Sequence, residues 1–267
     1  MSALLDALGD GSVVVKRNVI KIVRVPEILV FTLVQPIMFV LLFAYVFGSA
    51  ISLKGTGYRE FLIAGIFAQT TVFGATFTGA SLAEDMKKGV IDRFRSLPMS
   101  GTAVLVGRTV SDVVINLISL VVMALTGLAV GWRIHTSVLE AVAGFTLLLL
   151  FAFSFSWIMA LVGLSVPGPE VVNNAAFIVI FPLTFIANTF VPLENLPSAL
   201  KTFAEWNPVS SVTQASRNLF GNASGAGVTS HSWPIQHPAV YSVLWSLAIL
   251  AVFVPLATRQ YAKAASR

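Results

Sequence analysis

Few residues of this chain carry groups that could do acid–base, metal or nucleophilic chemistry. The 267 residues include three histidines, His135, His231 and His237, and no cysteine. The histidines fall in predicted loops without carboxylates at ligand spacing, and the lack of cysteine excludes disulfides and thiolate metal sites. Asp112 follows Arg108 by four residues at the edge of an apolar segment, which favours an ion pair over a proton relay. The sequence predicts neither a catalytic site nor a metal site.

Uncharged polar residues inside long apolar segments are the remaining candidates for ligand binding. The strongest by position are Gln35, Gln69, Thr76, Asn116, Asn173, Asn174 and Asn188. Most polar residues in such segments form hydrogen bonds between helices, each worth about 1 kcal/mol or less, so we expect a minority to contact a ligand. The chain also contains 20 phenylalanines, and a path lined by phenylalanine would suit a hydrophobic compound.

The segments that carry these residues are long and uncharged. Hydrophobic residues make up 56% of the chain and charged residues 11%, whereas a soluble domain usually has about 25% charged residues. An α-helix needs roughly 20 residues to cross about 30 Å of hydrocarbon, and it bonds its backbone polar groups internally. We therefore predict one all-α integral membrane domain over residues 1–267, with six spans at about 28–50, 61–83, 109–132, 141–166, 171–191 and 238–258.

The distribution of basic residues predicts how the spans are oriented. Twelve of the 17 lysines and arginines lie on the side that holds both termini and the loop 84–108, and five lie on the other side. By the positive-inside rule, both termini are cytoplasmic. The net charge of +5 is then a topology signal, and we expect no nucleic-acid partner.

Residues 12–26 precede the first predicted span and have an amphipathic pattern. Arg17, Lys21 and Arg24 share one helical face, opposite valine and isoleucine side chains. The segment is too short and too charged to span, so the pattern favours an N-terminal helix lying in the membrane interface and ending at Pro26. The alternative is a cytoplasmic helix packed on a partner protein.

Residues 84–100, EDMKKGVIDRFRSLPMS, have the pattern of a short amphipathic helix between the second and third spans. One face carries Glu84, Asp85, Lys88, Asp92 and Arg95, the opposite face carries Met86, Val90, Phe94 and Leu97, and Pro98 ends the helix. Charges of both signs beside an apolar stripe are typical of a protein docking surface. A solvated loop is an equally good interpretation of the pattern alone.

Two separate motifs resemble those of one family, the ABC-2-type exporter permeases of the daunorubicin-resistance branch. The first is the coupling loop of that family, with an acidic start, a central glycine and an arginine-rich run to Leu-Pro, at Glu84, Asp85, Gly89, Arg93, Leu97 and Pro98. The second is a late span ending in Asn-x-Phe-x-Pro, followed by a proline-punctuated external hairpin, at Asn188, Phe190, Pro192, Pro197, Asn207, Pro208 and Arg217. The composition of 192–220 by itself predicts short helices broken at Pro197 and Pro208 and folded back against the outer membrane face, as an external re-entrant hairpin between the fifth and sixth spans.

The resemblance implies how such a chain would work. It implies a homodimer, or a pair with a related second permease, that joins two copies of a cytoplasmic ATPase in a 2+2 complex. The ATPase would hold residues 84–100, and the dimer interface would enclose the substrate path, chiefly from spans one, two and five. The chain has no G-x-x-x-x-G-K-[ST] phosphate loop, so ATP and Mg are expected on the partner. The chain itself is expected to bind no cofactor and to catalyse no reaction.

The function that follows from the resemblance is efflux across a bacterial plasma membrane. The expected cargo is a hydrophobic or amphipathic compound, such as a drug, a natural product or a lipid, and antibiotic resistance is one expected outcome. An ion-coupled carrier and a non-transporting membrane scaffold or sensor are the alternatives, although the scarcity of charge inside the spans weakens the ion-coupled carrier.

Overall fold

The described part of the computed structural model, residues 26–47, 57–90, 101–223 and 232–264, is helical and contains no strand. The predicted interfacial helix at 12–26 therefore lies outside the described residues, except for Pro26. The helices are α1 (Pro26–Leu42, continued by a π-helical turn Phe43–Phe47), α2 (Tyr58–Gly74), α3 (Thr76–Lys87), α4 (Gly101–Ala129), α5 (Val138–Gly163), α6 (Pro169–Phe185), α7 (Ser198–Trp206), α8 (Pro208–Phe220), α9 (Trp233–Gln236) and α10 (Pro238–Ala264).

Four stretches of helix are long and apolar enough to cross a membrane. They are Tyr58–Lys87, which joins α2 and α3, and Val104–Ala129, Val138–Gly163 and Pro238–Lys263. Two shorter apolar helices, Val34–Val46 and Pro169–Phe185, occupy the positions of the predicted first and fifth spans. The prediction of an all-helical protein with several membrane spans is confirmed, and the number six stays a prediction.

Local signals in the sequence explain where several helices begin and end. Ser137 and Glu140 form a capping box at the start of α5, in which each side chain accepts a hydrogen bond from the other residue's backbone N–H. Asn207 caps α8 by accepting from the N–H of Val209, and Pro208 occupies the first turn. Helix α8 ends at Gly221, whose φ of +73° favours glycine.

Helix α5 lies at the centre of the bundle and packs against α2, α3, α4, α8 and α10. Its contact with α3 depends on two glycines. A Cβ atom on Gly163 would lie 2.2 Å from the carbonyl oxygen of Gly79, and one on Gly79 would lie 2.6 Å from the carbonyl oxygen of Met159. Because neither position has room for a side chain, the backbones of α3 and α5 approach each other directly.

The fifth span differs from its predicted length. The uncharged segment runs from 171 to 191, but α6 ends at Phe185, and the chain turns before Leu193. Backbone carbonyls released at this break bind donors from distant residues. Leu183 O accepts from Asn207 Nδ2 at 2.7 Å, and Phe190 O accepts from the hydroxyl of Tyr58 at 3.1 Å. These donors let the chain leave the helix where water does not supply partners.

Arg217, on α8, bonds two more carbonyls at this break. Its side chain is fully buried, and its Nη2 donates to Asn188 O at 2.7 Å and to Thr189 O at 3.1 Å. Its Nε donates to Phe61 O on α2 at 2.8 Å, and the guanidinium carbon lies 3.5 Å from the centre of the Phe61 ring. Among the described residues, no carboxylate lies within ion-pair distance of Arg217. The guanidinium therefore ties α8 to α2 and to the end of α6 through main-chain oxygens.

The hairpin after the fifth span is largely buried in the bundle. Helix α7 begins directly after the exposed Pro197, and α8 begins at Pro208, so the breaks lie at the predicted prolines. Pro192, which precedes the hairpin, is buried. Helix α8 does not lie on the face of the bundle, because ten of its 13 residues are buried between α2, α5 and α10. Its serine and threonine hydroxyls can enter the bundle because several of them bond carbonyls of α8 itself.

We expect Arg217→Met to lower the thermal stability of the purified protein strongly. The substitution keeps an unbranched side chain but leaves the carbonyls of Phe61, Asn188 and Thr189 without this donor, at a cost of about 1–3 kcal/mol for each buried carbonyl. The control is Arg133→Met, because Arg133 is exposed and bonds only nearby carbonyls, those of Leu128 at the end of α4 and of Trp132. Melting followed by size-exclusion chromatography measures both variants, and equal melting temperatures would contradict the role of Arg217.

Candidate functional site

A cavity of about 360 Å³ lies between α1, α2, α3, α4 and α6. It brings together polar residues that are far apart in the sequence. Gln35, Gln69, Thr76, Asn116 and Asn173 all line it, one from each of these helices. Among the residues predicted for ligand contact, Asn174 and Asn188 do not line the cavity.

Asn188 has a structural role at the break after α6. Its Nδ2 donates to Gln214 Oε1 at 3.2 Å, and its backbone N–H donates to the hydroxyl of Ser210 at 3.1 Å. Both partners lie on α8, and the side chain of Asn188 is 3% exposed. Asn188 therefore joins α8 to the end of α6, and its contact with a ligand stays a prediction.

Asn116 is held at the cavity wall by its own helix and by a neighbouring glycine. Its Nδ2 donates to the carbonyl of Asp112 at 2.9 Å. A Cβ atom on Gly74 would lie 2.5 Å from Asn116 Oδ1, so a larger residue at position 74 would displace this side chain. The absence of a side chain at Gly74 thus leaves room for an amide group at the wall.

Phenylalanine side chains form the apolar part of the wall. On α6, the rings of Phe177 and Phe181 stack at 4.9 Å between centroids, and those of Phe181 and Phe185 stack at 4.0 Å. The ring contacts continue from Phe185 to Phe190 at 4.9 Å and from Phe190 to Phe43 at 4.7 Å. The three rings on α6 line the cavity and offer flat apolar surfaces to a ligand. The sequence predicted a path lined by phenylalanine but not which residues form it, because phenylalanine at helical spacing also faces lipid.

Asp112 lines the cavity as well and is the buried charge of this region. Its Oδ1 lies 3.4 Å from Arg108 Nη2, so the ion pair predicted from the spacing is confirmed. Its Oδ2 accepts a hydrogen bond from the hydroxyl of Thr78 on α3. The sequence did not single out Asp112 as a cavity residue, because spacing along α4 reveals Arg108 but not the partner on another helix.

The predicted ATPase-coupling segment begins as the end of α3. Glu84 and Asp85 lie in the last turn of that helix, so no separate helix starts at residue 84. Lys88 Nζ lies 2.5 Å from Glu84 Oε1, and this hydrogen bond raises the pKa of Lys88. Gly89 follows with a φ of +64°, which turns the chain away from the helix axis. Asp92, Arg93, Arg95 and Pro98 lie outside the described residues.

Comparison with known proteins decides the family. The sequence profile of the ABC-2 type transporters matches residues 11–220, a region that contains every predicted site residue. Over 236 residues the chain is 35% identical to the daunorubicin resistance ABC transporter permease protein DrrB1 of Streptomyces coeruleorubidus, which covers 88% of this chain and 80% of that protein. The chain belongs to the ABC-2 type transporter family.

More distant relatives are permeases too. The chain is 26% identical over 216 residues to the putative transport permease ycf38 of Pyropia yezoensis, covering 79% of this chain and 73% of that protein. It is 23% identical over 227 residues to the probable doxorubicin resistance ABC transporter permease protein DrrC of Mycobacterium tuberculosis, covering 84% and 78%. The resemblance seen in the two motifs is confirmed.

Membership of this ABC-2 family sets the general role of the chain. It is a multi-pass membrane protein and the membrane subunit of an ABC transporter. A separate cytoplasmic ATPase subunit hydrolyses ATP. Within the described residues, no three acidic or histidine side chains are grouped as a metal site would require.

We expect the cavity to be open to small reagents, and single cysteines can measure this because the chain has none of its own. Ser119 lines the cavity, whereas Ser154 is fully buried and donates to Phe151 O on its own helix. Ser119→Cys should react with a membrane-permeant maleimide about tenfold faster than Ser154→Cys, because thiol reactivity follows access. Equal labelling rates, measured by mass spectrometry, would contradict an open cavity.

Proposed function

We propose that this chain is the permease subunit of an ATP-driven exporter, which moves a hydrophobic or amphipathic compound outward across the plasma membrane. The cavity between α1, α2, α3, α4 and α6 carries the proposal. Its volume of about 360 Å³ falls in the range of drug-sized binding sites, about 300–1,000 Å³. Membership of the ABC-2 type transporters supports the transport role.

The cavity wall supports an amphipathic cargo. Phe39, Phe73, Phe77 and the three phenylalanines of α6 supply the apolar surface, and four side-chain amides supply hydrogen-bonding groups. Asp112 is the charged residue of the wall, and Arg108 already pairs with it. A compound with flat apolar rings and a few polar groups would match these surfaces.

A six-span topology with cytoplasmic termini fits the helices and the charges. Helix α1 with its π-helical turn and helix α6 would be the first and fifth spans, added to the four long candidates. Helix α6 has 17 residues, about 25 Å of helix, which is short of the hydrocarbon thickness. The α7–α8 hairpin would complete the crossing at the outer side.

A second copy of the chain is the proposed neighbour of the cavity. Helices α1 and α6 border the cavity and also expose large apolar side chains beside it. Met38 is 55% exposed, Tyr45 is 57% exposed, and Ile178 is 72% exposed. Contact between two copies across these faces would enclose the cavity and cover apolar area of the kind found in obligate dimers. The mass of the purified transporter would test the 2+2 assembly.

Labelling of intact cells would test the orientation. Thr202 on α7 and Ala262 near the end of α10 are both exposed, and the topology puts them on opposite sides of the membrane. We expect Thr202→Cys, but not Ala262→Cys, to react with a membrane-impermeant maleimide until the cells are opened. Labelling of Ala262→Cys in intact cells would contradict cytoplasmic termini.

Removal of the charges at 84–100 would test the coupling to the ATPase. We expect the triple variant Glu84→Ala/Arg93→Ala/Arg95→Ala to insert into the membrane normally, because no predicted span changes. The ATPase should co-purify with it about tenfold less, since charged groups at a protein interface supply much of its specificity. ATP-dependent uptake of daunorubicin, a fluorescent probe, into inverted vesicles should fall in parallel.

A matched control removes the same charges from the opposite side. The variant Arg133→Ala/Lys201→Ala/Glu205→Ala also loses two basic groups and one acidic group, and it should retain the ATPase. Full ATPase binding and full uptake by the Glu84 triple variant would show that 84–100 is a solvated loop. A wild-type chain that purifies without any ATPase and takes up its cargo on a proton gradient would overturn the proposed function.

A further inference from the structure

Two polar residues of α3 bind a charged pair on α4. Arg108 Nη2 lies 2.8 Å from the hydroxyl oxygen of Ser81 and donates to Phe77 O at 3.3 Å. One turn further along α4, Asp112 Oδ2 accepts from the hydroxyl of Thr78. We call Thr78, Ser81, Arg108 and Asp112 the α3–α4 clamp.

The bonds of the clamp differ from most hydroxyl bonds in this bundle. Thr126, Ser156 and Ser216 each donate to a carbonyl of their own helix, so they satisfy themselves without joining helices. Thr78 and Ser81 instead pair with charged side chains on another helix. An ion pair inside a membrane bundle costs free energy that well-packed apolar residues would not. The clamp therefore calls for a role beyond packing.

The clamp lies between the cavity and the predicted coupling segment. Helix α3 has 12 residues, about 18 Å of helix. Thr76 and Phe77 at its start line the cavity, and Glu84 and Asp85 lie in its last turn. A displacement applied at the coupling end reaches Thr76 and Phe77 along α3 itself, and it reaches the α4 side of the cavity wall through the clamp.

Helix α3 continues the second span after a local irregularity. Helix α2 ends at Gly74, and Ala75 joins it to α3 with helical angles, φ −61° and ψ −22°. Beyond Ala75, Gly79 and Gly163 hold α3 directly against α5. Tilting about this contact preserves the backbone packing, whereas movement of α3 away from α5 would lose it. A small tilt of α3 is thus the movement that the packing permits.

The clamp also has groups that can form other bonds. The ion pair is 3.4 Å long, and neither Arg108 Nε nor Asp112 Oδ1 has a hydrogen-bond partner among the described residues. A shift of α3 along α4 could therefore exchange one set of bonds for another and still leave both Arg108 and Asp112 with partners. Two such arrangements are what a transmitting contact requires.

We propose that the α3–α4 clamp transmits movement from the ATPase-coupling end of α3 to the wall of the cavity, by linking α3 to Asp112 and Asn116 on α4. This proposal rests on the proposed function, since it requires an ATPase at residues 84–100. It assigns Thr78 and Ser81 as positioning residues, which act through Arg108 and Asp112 and do not line the cavity.

A thiol reporter in the cavity measures the transmission without knowledge of the cargo. The reporter is Ser119→Cys in the complex with its co-purifying ATPase, reconstituted in lipid nanodiscs. Its maleimide labelling rate is compared without nucleotide and with ATP plus vanadate. We expect nucleotide to change the rate by about fivefold or more when the clamp is intact, because the cavity changes state. In Thr78→Val/Ser81→Ala the change should fall below about twofold, while ATP hydrolysis continues.

Two further variants separate transmission from a loss of hydroxyl groups or of stability. Ser156→Ala/Thr213→Val also removes one serine and one threonine hydroxyl, each of which bonds a carbonyl of its own helix. This variant should respond like the protein with an intact clamp. Thr78→Ser/Ser81→Ala restores one hydroxyl and should recover part of the response. If the double clamp variant fails to assemble, Ser81→Ala alone, at a partly buried position, should still reduce the response by about half.

The outcomes are distinct. An unchanged nucleotide response in Thr78→Val/Ser81→Ala, or in Ser81→Ala where only that variant assembles, overturns the clamp and leaves the proposed function intact. Equal loss of response in the Ser156→Ala/Thr213→Val control also overturns it, because the effect would then follow from any lost hydroxyl. If nucleotide does not change the labelling rate of Ser119→Cys when the clamp is intact, the proposed function is contradicted. The same holds if the chain binds no ATPase. In both cases the clamp proposal fails as well.

Discussion

The structure depends on hydrogen-bond donors for backbone carbonyls that lose their helical partners where a helix breaks inside an apolar bundle. In a lipid environment such carbonyls find no water, so a break is stable only if side chains replace the lost bonds. Arg217 supplies two of these bonds, to Asn188 and Thr189, and it also bonds Phe61 O on α2. Asn207 and Tyr58 supply the bonds to Leu183 and Phe190. The end of α6 and the burial of α8 both follow from this arrangement.

The same break shapes the cavity. Because α6 stops at Phe185, the chain can turn and place Phe190 against both Phe185 and Phe43. The row of rings on α6 is thereby joined to α1, and these two helices form one continuous apolar wall. A continuous fifth helix to residue 191 would carry Phe190 along the helix axis and separate these rings. The link between the rings of α6 and those of α1 is therefore a consequence of the break that Arg217 stabilises.

The sequence predicts those features whose signals are local. Uncharged segments locate the long helices, prolines 197 and 208 locate the breaks of the hairpin, and polar residues inside apolar segments predict five of the lining positions. The end of the fifth span could not be predicted, because its donor, Arg217, lies 28 residues beyond Thr189. The bonds of Asn188 could not be predicted for the same reason, since its partners on α8 become neighbours only in the folded bundle.

Arg217, which is buried, and Arg108, which is partly buried, illustrate how one side chain can serve either rigidity or movement. Arg217 donates to main-chain oxygens, which cannot rotate away, so its position is fixed by the path of the backbone. Two of the three groups around Arg108, Ser81 Oγ and Asp112 Oδ1, belong to side chains that can change rotamer. An arginine bound by backbone carbonyls stabilises one packing of the helices. An arginine bound by side chains can keep partners while the helices move between two packings. Arg217 lies at the hairpin, and Arg108 lies beside the predicted coupling end of α3. This placement matches a bundle that is rigid at the hairpin end and able to move at the end where the ATPase is proposed to bind.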